Sequence, residues 1–327
     1  MLLQGWVRLA LWLVFCVMCM RAQEPTFKTQ APLVVVPVTV STLSGERVWG
    51  LTASDFELLD NDRPQRLTVE PWGTYESQVS LVVVIQTSSI SKAALLKIKK
   101  MPAMLDGITG DGGEVAVVTT DSEVKTVQNF TTRWEPIQET FEKLTASGGN
   151  AGRILDGVDT AVQMLALKPQ GRRRVILLLS EARDRDSKVK VGDLLTRAEQ
   201  QNVTIYTASY SAYVTPFTTK AGELQAQGGG FDILAMLAEI AHAAQQNVGK
   251  TLAEYTGGRQ LGFNTLRHLE DDLAEIGKEV HSQYQLSFVP AAEEKPVYHE
   301  IVVKIKDHAD AVVRARPGYW SINELAK

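Results

Sequence analysis

The chain has 327 residues, 44% of them hydrophobic and 22% charged, an ordinary composition for a globular protein long enough to bury its own core. Its 34 basic and 38 acidic residues leave a net charge of −4, which argues against nucleic acid or an anionic membrane surface as a partner. The only cysteines are Cys16 and Cys19, so thiol chemistry and disulfide frameworks are excluded from everything that follows them.

Residues 1–22 stand apart. Arg8 follows a short leader, residues 9–20 are apolar, and Arg21-Ala22-Gln23-Glu24 opens a polar stretch. An apolar run of about a dozen residues is too short for a membrane span of ~20 and fits a cleaved signal peptide, with an uncleaved N-terminal anchor as the alternative. Cleavage removes both cysteines and leaves 32 basic against 38 acidic residues. The expected location is outside the inner membrane: periplasmic, extracellular or envelope-associated, with no membrane insertion of the mature chain.

Residues 26–73 read as β-structure. A strand at 33–40 carries Pro37, which has no N–H for a ladder and places the strand at a sheet edge. Asp60-Asn61-Asp62 is a hairpin turn with 66–70 returning. A calcium loop is the competing reading of this Asp-x-Asp, but Gln65 stands where an EF-hand loop requires glycine.

The next stretch organises the rest. Leu81-Val82-Val83-Val84-Ile85 reads as a strand buried on both faces. It breaks into Gln86-Thr87-Ser88-Ser89-Ile90-Ser91-Lys92 and continues as a helix at 93–105, with Ala94, Leu95, Ile98, Met101 and Leu105 on one face. Strand, polar turn and helix make half a βαβ unit, the turn lying at the carboxyl end of the strand, where α/β sheets place their sites. Strand and helix then alternate: strands at 114–119, 124–127, 175–179 and 203–208, helices at 134–144, 153–167 and 191–201. A helix runs from Asp232 to Leu252 and a last one spans 266–280. The run Arg172-Arg173-Arg174 is expected to be a solvated strand entrance. The stretch 209–230 is loop-rich and offers Tyr210, Tyr213 and Phe217 as contact residues. Three strands, at 285–289, 299–306 and 311–315, close the chain.

The strand ending in Gln86-x-Ser88-x-Ile90 resembles the first loop of von Willebrand factor type A (vWA) domains, in which the strand ends in Asp-x-Ser-x-Ser. Gly50-Leu51-Thr52, Asp55-Phe56, Asp60-Asn61-Asp62 and Pro64-Gln65 resemble the N-terminal wording of acidobacterial vWA-related proteins. Thr256-Gly257-Gly258 and Arg316-Pro317-Gly318-Tyr319-Trp320 are similar to wording further along that family. The resemblance covers nearly the whole mature chain. It implies a Rossmann-like, mostly parallel sheet flanked by helices, with 124–127 as its antiparallel edge strand. It also implies a metal-ion-dependent adhesion site whose ligands would fall on Gln86, Ser88, Ile90, Asn150 and Glu181.

Those positions have lost most of the family's ligands. Ile90 cannot ligate, and Gln86 brings no charge, so Mg²⁺ is not expected to bind tightly. The expected activity is non-enzymatic: an exported binding module that holds another protein through Gln86, Ser88, Asn150 and Glu181, largely without a metal. Two alternatives remain. Ser89-Ile90-Ser91-Lys92 matches the Ser-x-x-Lys of penicillin-recognising enzymes, which would make Ser89 and Lys92 the nucleophile and base of an exported hydrolase, although no Ser-Asp-Asn or Lys-Thr-Gly accompanies it. The chain could also be a structural subunit of an envelope assembly.

The β segments at 23–76 and 283–327 flank the α/β domain at 77–282, and each is too small to build a core alone. They are expected to pair into one β-sandwich, with the vWA domain carried in one of its connections.

Overall fold

The computed structural model describes residues 33–70, 78–90, 92–169, 171–209, 233–262, 265–291, 293, 297–306 and 310–321. The leader, and the loop carrying Tyr210, Tyr213 and Phe217, lie outside them. Among the described residues no helix is long and apolar enough to cross a membrane.

The N-terminal strands are β1 (Val34–Thr42), β2 (Phe56–Asp60), β3 (Arg63–Pro64) and β4 (Thr68–Glu70). The turn between β2 and β3 has positive φ at both Asn61 (48°) and Asp62 (63°), the backbone that a two-residue hairpin matched to strand twist requires. The return strand of that hairpin is only Arg63–Pro64; residues 68–70 pass to a different sheet.

The central domain follows. Its strands are β5 (Val79–Gln86), β6 (Glu114–Thr120), β7 (Val124–Thr131), β8 (Arg173–Ser180), β9 (Val203–Ser209) and β10 (Gln260–Gly262). They form one sheet in the order β10-β9-β8-β5-β6-β7, parallel throughout except for the antiparallel edge strand β7. Every residue of β5 is buried. Leu81, Val83 and Ile85 face one helical layer and Val82 and Val84 the other, which explains why the strand is apolar without alternation. The first layer holds α1 (Lys92–Ile98), α2 (Pro102–Thr109), α3 (Trp134–Lys143) and α8 (Leu266–Ser282). The second holds α4 (Ile154–Ala166), α5 (Val191–Gln200), α6 (Ile233–Gln246) and α7 (Val248–Thr256).

Two helices expected to be continuous are split. Pro102 cannot donate to the Ile98 carbonyl, so α1 stops there; the Met101 N–H takes that carbonyl at 3.0 Å, and α2 starts with proline in its first turn. Asn247 has extended backbone, and its side chain caps α7 by accepting the Lys250 N–H at 2.9 Å.

The C-terminal strands are β11 (Tyr284–Phe288), β12 (Tyr298–Ile305), β13 (Ala311–Arg314) and β14 (Gly318–Trp320). They interleave with the N-terminal ones into two four-stranded antiparallel sheets, β13-β1-β11-β4 and β14-β12-β2-β3. Val36, Val38, Phe56, Leu58, Leu286 and Phe288 share a core between the sheets. Contrary to the edge position expected from Pro37, β1 is an inner strand. Pro37 is tolerated because it lies opposite Gln285 in the half of β1 that pairs only with β11; β13 joins at Thr39.

The sandwich meets the central domain at the amino edge of the parallel sheet, through buried charge. Glu279 on α8 is fully buried and accepts the Tyr206 hydroxyl at 2.8 Å. Around it stand Arg259 at 3.3 Å, Arg47 at 3.7 Å and Arg314 in direct contact. Glu199, at the end of α5, is buried beside Arg316; its carboxylate accepts the Trp320 N–H at 3.3 Å. Burial pushes the Glu199 carboxyl up to about 8, against the opposing pull of Arg316. The arginine run is also consumed here rather than solvated. Arg172 donates to the Val79 and Gly112 carbonyls, Arg173 to Gln283 and Arg174 to Gln201 and Lys168. These cations terminate strands and helices whose carbonyls would otherwise be buried without donors.

Candidate functional site

Four connections gather at the carboxyl edge of the parallel sheet, opposite the sandwich. The first is 87–91, after β5. The second is 144–153, leading into α4. The third is 181–190, between β8 and α5. The turn 121–123 joins β6 to β7. The first two are knitted by backbone: Ser147 donates its N–H to the Thr87 carbonyl at 2.9 Å, and Ser88 pairs with Ser147 as an isolated parallel bridge.

Gln86 sits below them with no exposed surface. Its Oε1 accepts the Glu181 N–H at 3.0 Å, and its Nε2 lies 3.3 Å from Ser88 Oγ and 3.4 Å from the Ser88 carbonyl as donor. Because an amide N–H can only donate, the Glu181 bond fixes which end of the carboxamide is oxygen. The amino group therefore points at the Ser88 hydroxyl. Gly152 permits this packing, since a Cβ there would press on Nε2 at 3.2 Å. One neutral side chain thus ties the first loop to the third.

The sequence-predicted residues divide accordingly. Gln86, Ser88 and the Glu181 backbone come together, with Gln86 and Ser88 buried. Asn150 is exposed on the rim; its carbonyl accepts from Arg185 Nη1 at 3.2 Å. The Glu181 side chain is half-buried, its carboxylate 3.8 Å from Arg185 Nη2. Ile90 is almost wholly buried and packs into the core under α1. A magnesium ion does not fit these residues. Where it would need oxygen lone pairs it meets the Gln86 amino group and the apolar Ile90. Among the described residues, no three or more His, Cys, Asp or Glu side chains converge on a possible ion site. Ser89 and Lys92 are both exposed, and the described contacts do not include the nucleophile–base hydrogen bond that activation of a serine needs.

Several residues hold this edge in roles that the sequence does not indicate; Asp184 and Asp186, for instance, read from the sequence as a solvated loop. Asp184 caps α4 from the third loop, accepting the Leu155 N–H at 3.1 Å and the Ser187 hydroxyl at 2.7 Å. Asp156, within α4, accepts the N–H groups of Lys188 and Val189 at 2.9 Å each and pairs with Arg153 at 2.6 Å. Arg153 (φ 34°), Asp186 (φ 67°) and Ser89 (φ 56°) hold left-handed backbone that side chains rarely adopt. Asp121, beside Thr87, is pushed up by burial, but the Glu123 N–H at 2.9 Å and nearby Lys125 outweigh this and hold its carboxyl below the usual range. A pattern search could have flagged Asp184-x-x-Ser187 as a capping pair. That it caps a helix thirty residues earlier in the chain is invisible in spacing.

No protein-family model and no curated protein matches the sequence. Among solved structures, the chain is similar to an aerotolerance-related membrane protein from Bacteroides fragilis, at 12% identity over 62% of this chain and 99% of that one, with a TM-score of 0.43. It is also similar to a von Willebrand factor type A protein from Catenulispora acidiphila, at 12% identity over 90% and 75% of the two chains, TM-score 0.43. A third likeness is to proximal thread matrix protein 1 of the mussel byssus, at 14% identity over 66% and 48%, TM-score 0.44. The vWA-type assignment of the fold stands on the strand order, the antiparallel edge strand and the two helical layers described above.

Proposed function

We propose that the protein is an exported, non-enzymatic binding module that holds a partner protein through the loops at the carboxyl edge of its central sheet, without a bridging metal. The observation that carries this reading is Gln86. Its buried carboxamide makes the loop-to-loop connections at the position where the fold family places an ion-orienting carboxylate. The loops are therefore held in place by the chain itself, with Asn150 exposed and Glu181 half-exposed on a preorganised frame. In this reading Gln86 and Ser88 position the loops and do not touch the partner. The leader at residues 1–22 supports export, and the sandwich lies at the opposite edge of the sheet.

The test is capture from a native envelope extract by the immobilised full chain. The expected result is a partner retained equally in EDTA and in Mg²⁺, and lost when Asn150→Ala and Glu181→Ala are combined. Capture that needs Mg²⁺, or that survives the double variant, would overturn the reading. A serine-reactive fluorophosphonate probe should leave Ser89 unlabelled; labelling there would favour the hydrolase.

A further inference from the structure

The third loop reads Glu181-Ala182-Arg183-Asp184-Arg185-Asp186-Ser187-Lys188-Val189-Lys190, and its charges are sorted by direction. Arg183, Arg185, Lys188 and Lys190 are exposed. Of its acids, Asp184 is turned inward as the α4 cap, and Glu181 lies beside Arg185. Only Asp186 is both acidic and exposed within the loop. Arg183, Lys188 and Lys190 enter no ion pair among the described residues.

A cleft of about 530 Å³ adjoins the loop, its charged lining being Glu123, Arg153, Asp156, Asp159 and Lys188. Its three carboxylates are already engaged: Asp156 with Arg153 and two backbone N–H groups, Asp159 with Arg197 at 2.7 Å, and Glu123 with Lys125 at 2.9 Å. Lys188 is the cation left over.

The loop is also stiff. The Arg185 carbonyl accepts the N–H groups of Gly152 and Arg153 at 3.2 and 2.8 Å, and the Ala182 carbonyl accepts the Val248 N–H at 2.8 Å. With the Asp156 bonds to Lys188 and Val189, its backbone is anchored to α4 and to α7. Solvated lysines on a loose loop lose much freedom when they bind; these start from a fixed backbone. In a chain of net charge −4, this is a local, preorganised patch of the opposite sign, and charge complementarity of that kind selects partners and speeds encounter.

We propose that residues 181–190 and the adjoining cleft form an electropositive docking surface for an acidic segment of a partner protein. The proposal rests on the reading of the carboxyl edge as a recognition face, and adds the chemistry of what it recognises.

The experiment uses the full chain and a labelled poly-glutamate peptide, followed by fluorescence anisotropy. Poly-lysine, single-stranded DNA and phosphatidylglycerol vesicles are run in parallel. The peptide is expected to bind, to weaken as salt is raised, and to weaken about tenfold or more when Arg183→Glu, Lys188→Glu and Lys190→Glu are combined. A control carrying Lys100→Glu, Lys143→Glu and Lys304→Glu, equal in charge but outside the loop, should bind like the unmodified protein. If the control weakens as much, or if DNA or vesicles bind as tightly as the peptide, the proposal is overturned. The envelope capture separates the two readings. Capture that needs Asn150 and Glu181 but ignores the loop charges keeps the face and rejects this role for the loop. Capture that needs neither rejects both.

Discussion

The two edges of the central sheet treat charge in opposite ways. At the amino edge, charge is buried: Glu279 lies among three arginines, Glu199 sits beside Arg316, and Arg172, Arg173 and Arg174 are spent on carbonyls. At the carboxyl edge the buried link between the first and third loops is the neutral Gln86, buried Asp156 is answered by Arg153 and backbone N–H groups, and four cations of the third loop face water. A buried charge is costly unless it is fully surrounded by partners, so such a cluster fixes one arrangement of the pieces that supply them. Arg47 and Arg314 come from the terminal segments, and Arg259 and Glu279 from the central domain; the cluster is a weld between them. A neutral amide closes loops without demanding counter-charges, and leaves the exposed ones available to something outside the chain.

The coarsest way to break this contrast is to cut the chain at the weld. Residues 77–282 alone should fold cooperatively, because their sheet and both helical layers are complete and Arg259 still accompanies Glu279. Residues 24–76 alone should not fold, since β1 pairs with β11 and β13, and β2 with β12. Cooperative urea unfolding followed by circular dichroism distinguishes them; a well-folded 24–76 fragment would mean that the terminal segments are separate units.

The same substitution at the two edges sharpens the comparison. Glu279→Ala leaves three guanidinium groups around an empty position and should cost about 3–5 kcal/mol. Glu181→Ala removes only a long, solvated contact to Arg185 and should cost less than about 1 kcal/mol. Comparable losses in chemical denaturation would erase the distinction between the edges.

The pH dependence of stability separates the edges next. The Glu199 carboxyl rises from an ordinary 4.5 to about 8 on folding. Its contribution is therefore complete below about pH 4.5 and is lost as pH climbs toward 8. Glu199→Gln should flatten that part of the stability curve by a few kcal/mol at most. Urea midpoints measured from pH 5 to 8 report the slope, and an unchanged slope in the variant would show that Glu199 is not the group responsible.

The smallest expected signal is at the carboxyl edge itself. Isothermal titration with millimolar Mg²⁺ or Mn²⁺ should give no saturable heat from the unmodified chain. Gln86→Asp, Ile90→Ser and Asn150→Thr together should create one. Tight binding without those changes would show that the amide does not occupy the ion's place.

What could be read from the sequence follows the range of the forces involved. The strand 81–85, its polar turn and the alternation after it were legible because burial on both faces and helical periodicity are written in neighbouring residues. The vWA-type sheet and the pairing of the terminal segments followed from those patterns and from wording shared with a family. An apolar stripe running across Pro102 and Asn247 suggested unbroken helices, which the proline and the asparagine cap interrupt. The arginine run was misread because a charged run is ordinarily solvated, whereas the carbonyls it satisfies, at Val79, Gly112, Lys168, Gln201 and Gln283, come from distant parts of the chain. At the candidate site, the polar turn after 81–85 was legible and the bonds its residues make were not. Nothing at Gln86 announces that its acceptor will meet a backbone N–H ninety-five residues later.

The interleaving of the terminal strands has a consequence in time. Val38 of β1 pairs with Tyr284, so a chain emerging at roughly 5–20 residues per second exposes β1 for on the order of 10–50 seconds before its partner exists. Val34-Val35-Val36-Pro37-Val38-Thr39-Val40 is an uncharged, β-branched run of the kind that stacks with copies of itself when left unpaired. Pro37 interrupts it at the position where the folded sheet needs no second ladder. A proline within such a run lowers its tendency to stack, so Pro37→Val is expected to lower the soluble yield of the chain, as read by the soluble fraction on expression.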